Sequence, residues 1–289
     1  MTIDQSATAI IRYSQTKTSV LGSMTSISLG MKAQVESFSL GVVLRAAICK
    51  RCVFGSHWSA GLGEDGFFAP YVALPLNAVV KVPDGISPAT AAVATDAVTT
   101  SYHAVVKRGR VQPHETVVLF GLGGLGFNGL EVVRHVGARV LVTDVKQDRL
   151  DEAVKLGVPV EDVIPGGESV KEFVEGKGLL GKIDATLDFV GKHQTFADAQ
   201  QIVRRGGRMI CIGTLDTENT IDMKIGVRKR LDIVFSYGGQ VQDLREALEL
   251  IAEGKVKPQV STDKLQAFPE VLERLHAGKV SGRVALLHE

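Results

Sequence analysis

Cysteine is scarce in this chain: only Cys49, Cys52 and Cys211 occur among 289 residues. So few, and an odd number, exclude a disulfide framework and fit a reducing, cytoplasmic compartment. Charge of one sign is lacking as well, since 33 Lys and Arg against 32 Asp and Glu leave a net charge of +1. No global field draws nucleic acid or an anionic lipid surface, so neither is expected as a partner. No stretch approaches the roughly 18 uninterrupted apolar residues of a membrane helix, and no basic region followed by an apolar one opens the chain. What is abundant is glycine, with 31 residues, beside 45% apolar content, the balance of an α/β protein with a substantial core.

The most informative stretch is TVVLFGLGGLGFNGLEVVRHVGARVLVTD, residues 116–144. A short apolar run suits a buried parallel strand, and Gly121, Gly123 and Gly126 then give the G-x-G-x-x-G spacing, with Gly124 and Leu125 between the last two. The first glycine permits a tight turn, the second lets the backbone approach a pyrophosphate, and the third lets the following helix pack close. The helix N-terminus would then aim free N–H groups at the phosphates. Asp144 lies 23 residues after Gly121 at the end of a second strand, where a carboxylate can accept the hydroxyls of an adenosine ribose. A glycine-rich loop without a ligand is the bland alternative, and the strand before, helix after and acid at this distance argue against it. The same carboxylate repels a 2′-phosphate, so NAD(H) is preferred over NADP(H). Arg149 lies near that ribose edge and could accept a phosphate, although its ordinary role is that of a solvated helix residue.

Residues 98–240 alternate short β-rich runs with helical ones, the rhythm of a Rossmann doubly wound parallel sheet. Strands are expected at 117–120, 139–143, 162–164, 183–189, 208–212 and 231–235, with helices at 148–156, 170–175 and 195–203. Gly191 closes the strand ATLDFVG, Gly206 and Gly207 read as a turn, and Gly213 with Thr214 ends a further strand, where an open α/β sheet places its ligand. Cys211, inside an apolar run, reads as a packing residue. Beyond lie a helix at 241–253, another at 268–276 and a strand at 283–287. The first 40 residues carry 13 Ser or Thr, two acids and one arginine, Arg12, with little periodicity. No element is assigned there, and a mitochondrial presequence would be richer in Arg. Residues 66–74 and 78–82 read as strands, the second ending in a Pro83-Asp84-Gly85 turn.

Five segments together resemble the zinc-type alcohol dehydrogenase branch of the medium-chain dehydrogenase/reductase superfamily over residues 61–287: GLGEDGFFAPYVALP, KVPDGISPATAA, TDAVTTSYHAV, the glycine-rich turn, and LERLHAGKVSGRVAL. The resemblance implies hydride transfer between a nicotinamide and a small-molecule alcohol or carbonyl. It also implies two domains. Residues 98–240 would form the Rossmann domain, and residues 1–97, completed by 241–289, a partial GroES-like β-rich catalytic domain whose first 48 residues are atypical. The segment TDAVTTSYHAV would place Asp96 at a catalytic zinc and Thr100 beside the nicotinamide. By the residues alone, Asp96 reads equally as a helix N-cap. Gly191, Gly213 and Thr214 match cofactor-facing strand ends. A homodimer through the edge of the Rossmann sheet, at 231–235, is implied too.

The chain also departs from that family. A catalytic zinc needs about three protein ligands and an open position. The early Cys and His that supply two of them are missing, since neither residue type occurs before Cys49. Cys49 and Cys52 form one C-x-x-C, with His57 nearby, which is half of a structural zinc site. Zinc therefore enters as an incomplete ligand set, and part of the catalytic domain reads as missing or replaced. Without a metal, carbonyl polarisation falls to a donor such as Tyr102 or His103, whose ordinary role is packing, and catalytic residues stay unassigned. A zinc-independent quinone or enoyl reductase of the same superfamily, or an inactive NAD-binding protein, are the alternative readings, with a methyltransferase behind them.

Overall fold

The computed structural model describes residues 79–287 and, ahead of them, the strands Thr8–Arg12, Val42–Leu44, Ser59–Ala60, Gly63–Glu64 and Tyr71–Pro75. The chain forms two compact units, one of residues 1–96, 239–254 and 258–289, the other of 97–238 with 255–257. Cys49, Cys52 and His57 lie outside the described residues.

The second unit is built on one sheet. Its elements are β1 (Thr116–Phe120), α1 (Gly126–Val136), β2 (Arg139–Thr143), α2 (Gln147–Lys155), β3 (Val163–Ile164), α3 (Val170–Gly176), β4 (Ile183–Asp188), α4 (His193–Ile202), β5 (Val203–Cys211), α5 (Met223–Lys229) and β6 (Asp232–Phe235). All six strands run parallel in the order β3-β2-β1-β4-β5-β6. That is the doubly wound Rossmann order, reversing direction between β1 and β4.

The apolar runs explain the central strands. Helices cover both faces of a parallel sheet, so its strands are buried throughout and read as continuous apolar stretches. Val117, Val118, Leu119 and Phe120 of β1 are all buried, as are Ala185 and Leu187 of β4. Val118, Leu141, Ile164, Val174, Phe196, Ile202 and Met209 close one core cluster. Burying each large apolar side chain contributes about 1.5–3 kcal/mol. Helix starts are marked by side chains: Ser169 accepts from the Glu172 amide at 3.3 Å, and Asp222 from the Ile225 amide at 3.0 Å.

Three local features differ from the sequence reading. The expected strand at 162–164 begins as a 3-10 turn, Val160–Asp162, closed by the Asp162 amide on the Pro159 carbonyl at 2.9 Å, and the Asp162 side chain makes a two-pronged pair with Arg139 at 3.0 and 2.6 Å. Gly206 and Gly207 lie inside β5 rather than in a turn between elements. The β4–β5 register shifts between Ile183 and Ala185, and Gly206 takes up the bulge at φ 68°. Helix α5 has no counterpart in the sequence reading. It is short and lacks buried residues, so no apolar stripe betrays it.

In the first unit, Thr8–Arg12 pairs antiparallel with Tyr71–Pro75, and Val42–Leu44 with Val79–Lys81. The strand at Thr8–Arg12 lies where the sequence assigned no element. Val260–Lys264 and Arg283–Leu287 form a parallel pair beside the helix Pro88–Val93. Helices Val241–Ala252 and Phe268–His276 complete this unit. Among the described residues, no helix is long and apolar enough to cross a membrane.

Candidate functional site

The glycine-rich loop joins β1 to α1 in a turn that only glycine takes without strain. Gly121 has φ 87°, and its amide donates to the Thr143 carbonyl of β2 at 2.8 Å. A Cβ on Gly126 would fall 1.8 Å from the Gly121 carbonyl oxygen, so the head of α1 is folded directly against the turn. Gly123 is the opposite case, with no atom within 4 Å of the place its Cβ would occupy. That open space lies at the head of α1, where the Phe127 and Gly129 amides already donate to the Gly123 and Leu125 carbonyls at 3.0 and 2.9 Å. Gly124 and Leu125 are held from behind: Asn128 donates to the Gly124 carbonyl at 2.7 Å, and Ser101 to the Leu125 carbonyl at 2.8 Å. Both carbonyls are thus engaged within the fold.

Asp144 follows β2 and is 7% exposed. Its Oδ2 accepts from the Leu122 amide at 2.7 Å and from Arg149 at 3.2 Å, and its Oδ1 from the Lys146 amide at 2.9 Å. The acid thus ties the end of β2 to the glycine loop. Arg149 is half-buried and paired with Asp144, which corrects its reading as a solvated helix residue.

The loops after β4 and β5 meet at two glycines. Gly191 has φ 72°, and a Cβ there would lie 2.0 Å from the Gly213 carbonyl oxygen. The amides of Leu215 and Asp216 donate to the carbonyls of Val190 and Gly191 at 3.2 and 2.9 Å. Thr214 stands in this same loop. Val190 also approaches the first loop: a Cβ on Gly121 would lie 2.5 Å from its side chain. Beneath them is Asp188, 3% exposed, whose carboxylate accepts from Val190, Gly191 and Thr195. Burial raises its pKa, opposed by those donors, of which the Gly191 amide is the largest. Cys211, ending β5, is pushed up to about 12 by burial and, secondly, by the charge of Asp188.

Thr100 is 6% exposed, and it precedes the loop-binding Ser101 in the helix Thr99–Tyr102. Tyr102 and His103 are half-buried, and Lys107 lies 5.5 Å from the centroid of the Tyr102 ring. Asp96 sits in the π-helical turn Ala94–Val98, not at an N-cap; the cap of Pro88–Val93 is Ser87, which accepts from the Thr90 amide at 3.1 Å. Its side chain is 73% exposed and lies 3.8 Å from Arg283.

The zinc-binding dehydrogenase family matches residues 124–253. An alcohol dehydrogenase of Geobacillus stearothermophilus is 31% identical over 244 residues, covering 82% of this chain and 71% of the relative. The chain belongs to the alcohol dehydrogenase branch of the medium-chain dehydrogenase/reductase superfamily. Among solved members, an alcohol dehydrogenase from Aeropyrum pernix is 30% identical, with a TM-score of 0.72 over 86% of this chain and 74% of that one. An acetophenone reductase from Geotrichum candidum, solved with NAD, is 25% identical, with a TM-score of 0.80 over 97% of this chain and 89% of that one.

The cradle leaves room for a dinucleotide: the space beside Gly123 is open, and the buried Asp144 carboxylate adjoins the same loop through the Leu122 amide. A zinc ion fares differently. Among the described residues, no group of three or more His, Cys, Asp or Glu could hold a metal. Asp96 belongs to no such group and has the Arg283 guanidinium 3.8 Å away, and the other candidate ligands, Cys49, Cys52 and His57, lie outside the described residues. The sequence reading missed Ser101, Asn128, Asp188 and Thr195. A faint signal existed for Asp188, a lone carboxylate inside the apolar run ATLDFVG.

Proposed function

We propose that this dehydrogenase interconverts a small-molecule alcohol and a carbonyl compound, with NAD(H) as hydride carrier and in preference to NADP(H). Asp144 carries the reading, because a buried carboxylate joined to the loop amide of Leu122 is what a ribose diol needs and a 2′-phosphate does not tolerate. When bound, NAD+ supplies a hydride acceptor, and an alcohol gives up a hydride from carbon and a proton from oxygen. The chain's residues do the holding. The glycine turn and the positive end of α1 meet the pyrophosphate, Gly191, Gly213 and Thr214 form the wall beyond it, and Thr100 is assigned to the nicotinamide by family resemblance. The partial GroES-like domain at 1–97 and 241–289 would supply the substrate pocket.

A second reading, a zinc-independent reductase of the same superfamily, is favoured by the Arg283 guanidinium beside Asp96. We further assign the chain to the cytoplasm, in keeping with its three cysteines. A homodimer through β6 is supported by exposed apolar residues there: Phe235 at 70%, Tyr237 at 73% and Val227 at 68%.

The decisive experiment titrates NADH and NADPH into the purified chain by fluorescence, then assays alcohols and ketones with zinc measured in the same sample. NADH bound more tightly, with turnover, is the expected result. Turnover at one equivalent of zinc supports the zinc-type enzyme, and turnover in its absence the second reading. Failure to bind either dinucleotide overturns both.

A further inference from the structure

A buried carboxylate is costly unless donors compensate it, and Asp188 has only neutral ones: among the described residues it forms no ion pair. Its Oδ1 accepts from the amides of Val190 and Gly191 at 2.9 and 2.8 Å, and its Oδ2 from the Thr195 hydroxyl at 2.7 Å. Its main-chain carbonyl accepts the amides of Ile212 and Gly213, both at 2.9 Å. One residue therefore holds two loops, the first by its side chain and the second by its backbone.

We propose that Asp188 and Thr195 form a positioning pair that sets dinucleotide affinity by locking the loops at Gly191 and Gly213 into one wall of the cofactor site. This inference rests on the dinucleotide-binding reading above. Thr195 is the adjustable member. Its hydroxyl accepts from the Lys192 amide at 3.1 Å, which leaves its single proton to be shared between the Asp188 carboxylate and, at 3.0 Å, the Lys192 carbonyl. The shorter, charge-assisted contact wins. Thr195 thus fixes the carboxylate that fixes Gly191, while also starting α4. The two glycines leave no slack to absorb a loosened anchor, since a Cβ on Gly213 would lie 2.3 Å from the Val190 carbonyl carbon.

Asp188→Ala would strip three donors of their acceptor and open a hole in the fold, so the informative variants are Thr195→Val, which keeps shape and removes the hydroxyl, and Thr195→Ser, which restores it. NADH affinity is read by fluorescence titration, and amide hydrogen exchange of residues 189–195 and 212–214 is followed in the cofactor-free chain. Thr195→Val is expected to weaken NADH binding on the order of tenfold, as befits a lost hydrogen bond to a charged group. It should also speed exchange at Val190 and Gly191, and Thr195→Ser should return both to their original values. An unchanged Kd in Thr195→Val overturns the proposal, even where thermal stability falls. If the unaltered chain itself binds no NADH, the dinucleotide reading fails and takes the inference with it.

Discussion

On the proposed binding mode, a ribose at Asp144 would meet a carboxylate already in use. Such a group offers about four acceptor positions, and the Leu122 amide, the Lys146 amide and Arg149 take three of them. A diol making two hydrogen bonds would therefore displace Arg149 or share with it, which would make Arg149 a latent phosphate ligand. Asp144→Ala is accordingly expected to weaken NADH binding roughly tenfold or more while improving NADPH binding. Parallel titrations of both dinucleotides check this, and adding Arg149→Ala should erase the NADPH gain. Cys211 carries the other residue-scale prediction. With its pKa near 12 against an ordinary 9.0, the thiol stays protonated at neutral pH, and any stability it contributes is present below pH 9 and lost as pH rises toward 12. Mass-spectrometric mapping after iodoacetamide treatment at pH 8 should find Cys211 unmodified in the folded chain and modified in denaturant. Asp144 was legible in the sequence because its distance from Gly121 is covalent information. Asp188 and Thr195 were not, because the amides and hydroxyl that define them come together only when the strand end and the next helix are folded.

Elements translate these contacts into separable effects within a single loop. Gly123 and Gly126 look alike in sequence, but one borders open space and the other touches the Gly121 carbonyl. Gly126→Ala should lower thermal stability and abolish NADH binding together, since the head of α1 cannot move off the turn without undoing it. Gly123→Ala should leave the melting temperature within a degree or two and still cost most of the NADH affinity, by filling the pyrophosphate space. Melting curves beside titrations for the two variants distinguish fold from function. The central strands could be read from their apolar runs, as β1 and β4 show. The bulge at Gly206 could not, because a register shift belongs to the pairing of β4 with β5 and not to either strand alone. Asp96, which reads equally as a cap and as a zinc ligand, lies within the π-helical turn Ala94–Val98, and the side chain that caps the preceding helix Pro88–Val93 is that of Ser87, nine residues earlier.

At the scale of the whole molecule, β6 leaves Phe235 exposed at the margin of the sheet. A homodimer formed there predicts that the unaltered chain sediments at about twice its 30.9 kDa, while Phe235→Lys sediments as a monomer with NADH affinity retained. A monomeric unaltered chain at micromolar concentration removes the dimer. The Rossmann sheet was foreseeable because its rhythm repeats along the chain, whereas the pairing of Thr8–Arg12 with Tyr71–Pro75 joins segments that carry no shared local signal. The sheet order has a further consequence for how the protein comes into being. Strands β1 and β4 are neighbours, and the Thr116 amide reaches Asp184, 68 residues away, at 2.8 Å. The glycine loop draws on residues 121–144, whereas the loops at Gly191 and Gly213 belong to the second half of the sheet. On the proposed binding mode, a growing chain halted after β3 would own the fingerprint without the facing wall, and the onset of NADH fluorescence during refolding is expected to follow the joining of the two halves rather than the folding of the motif itself.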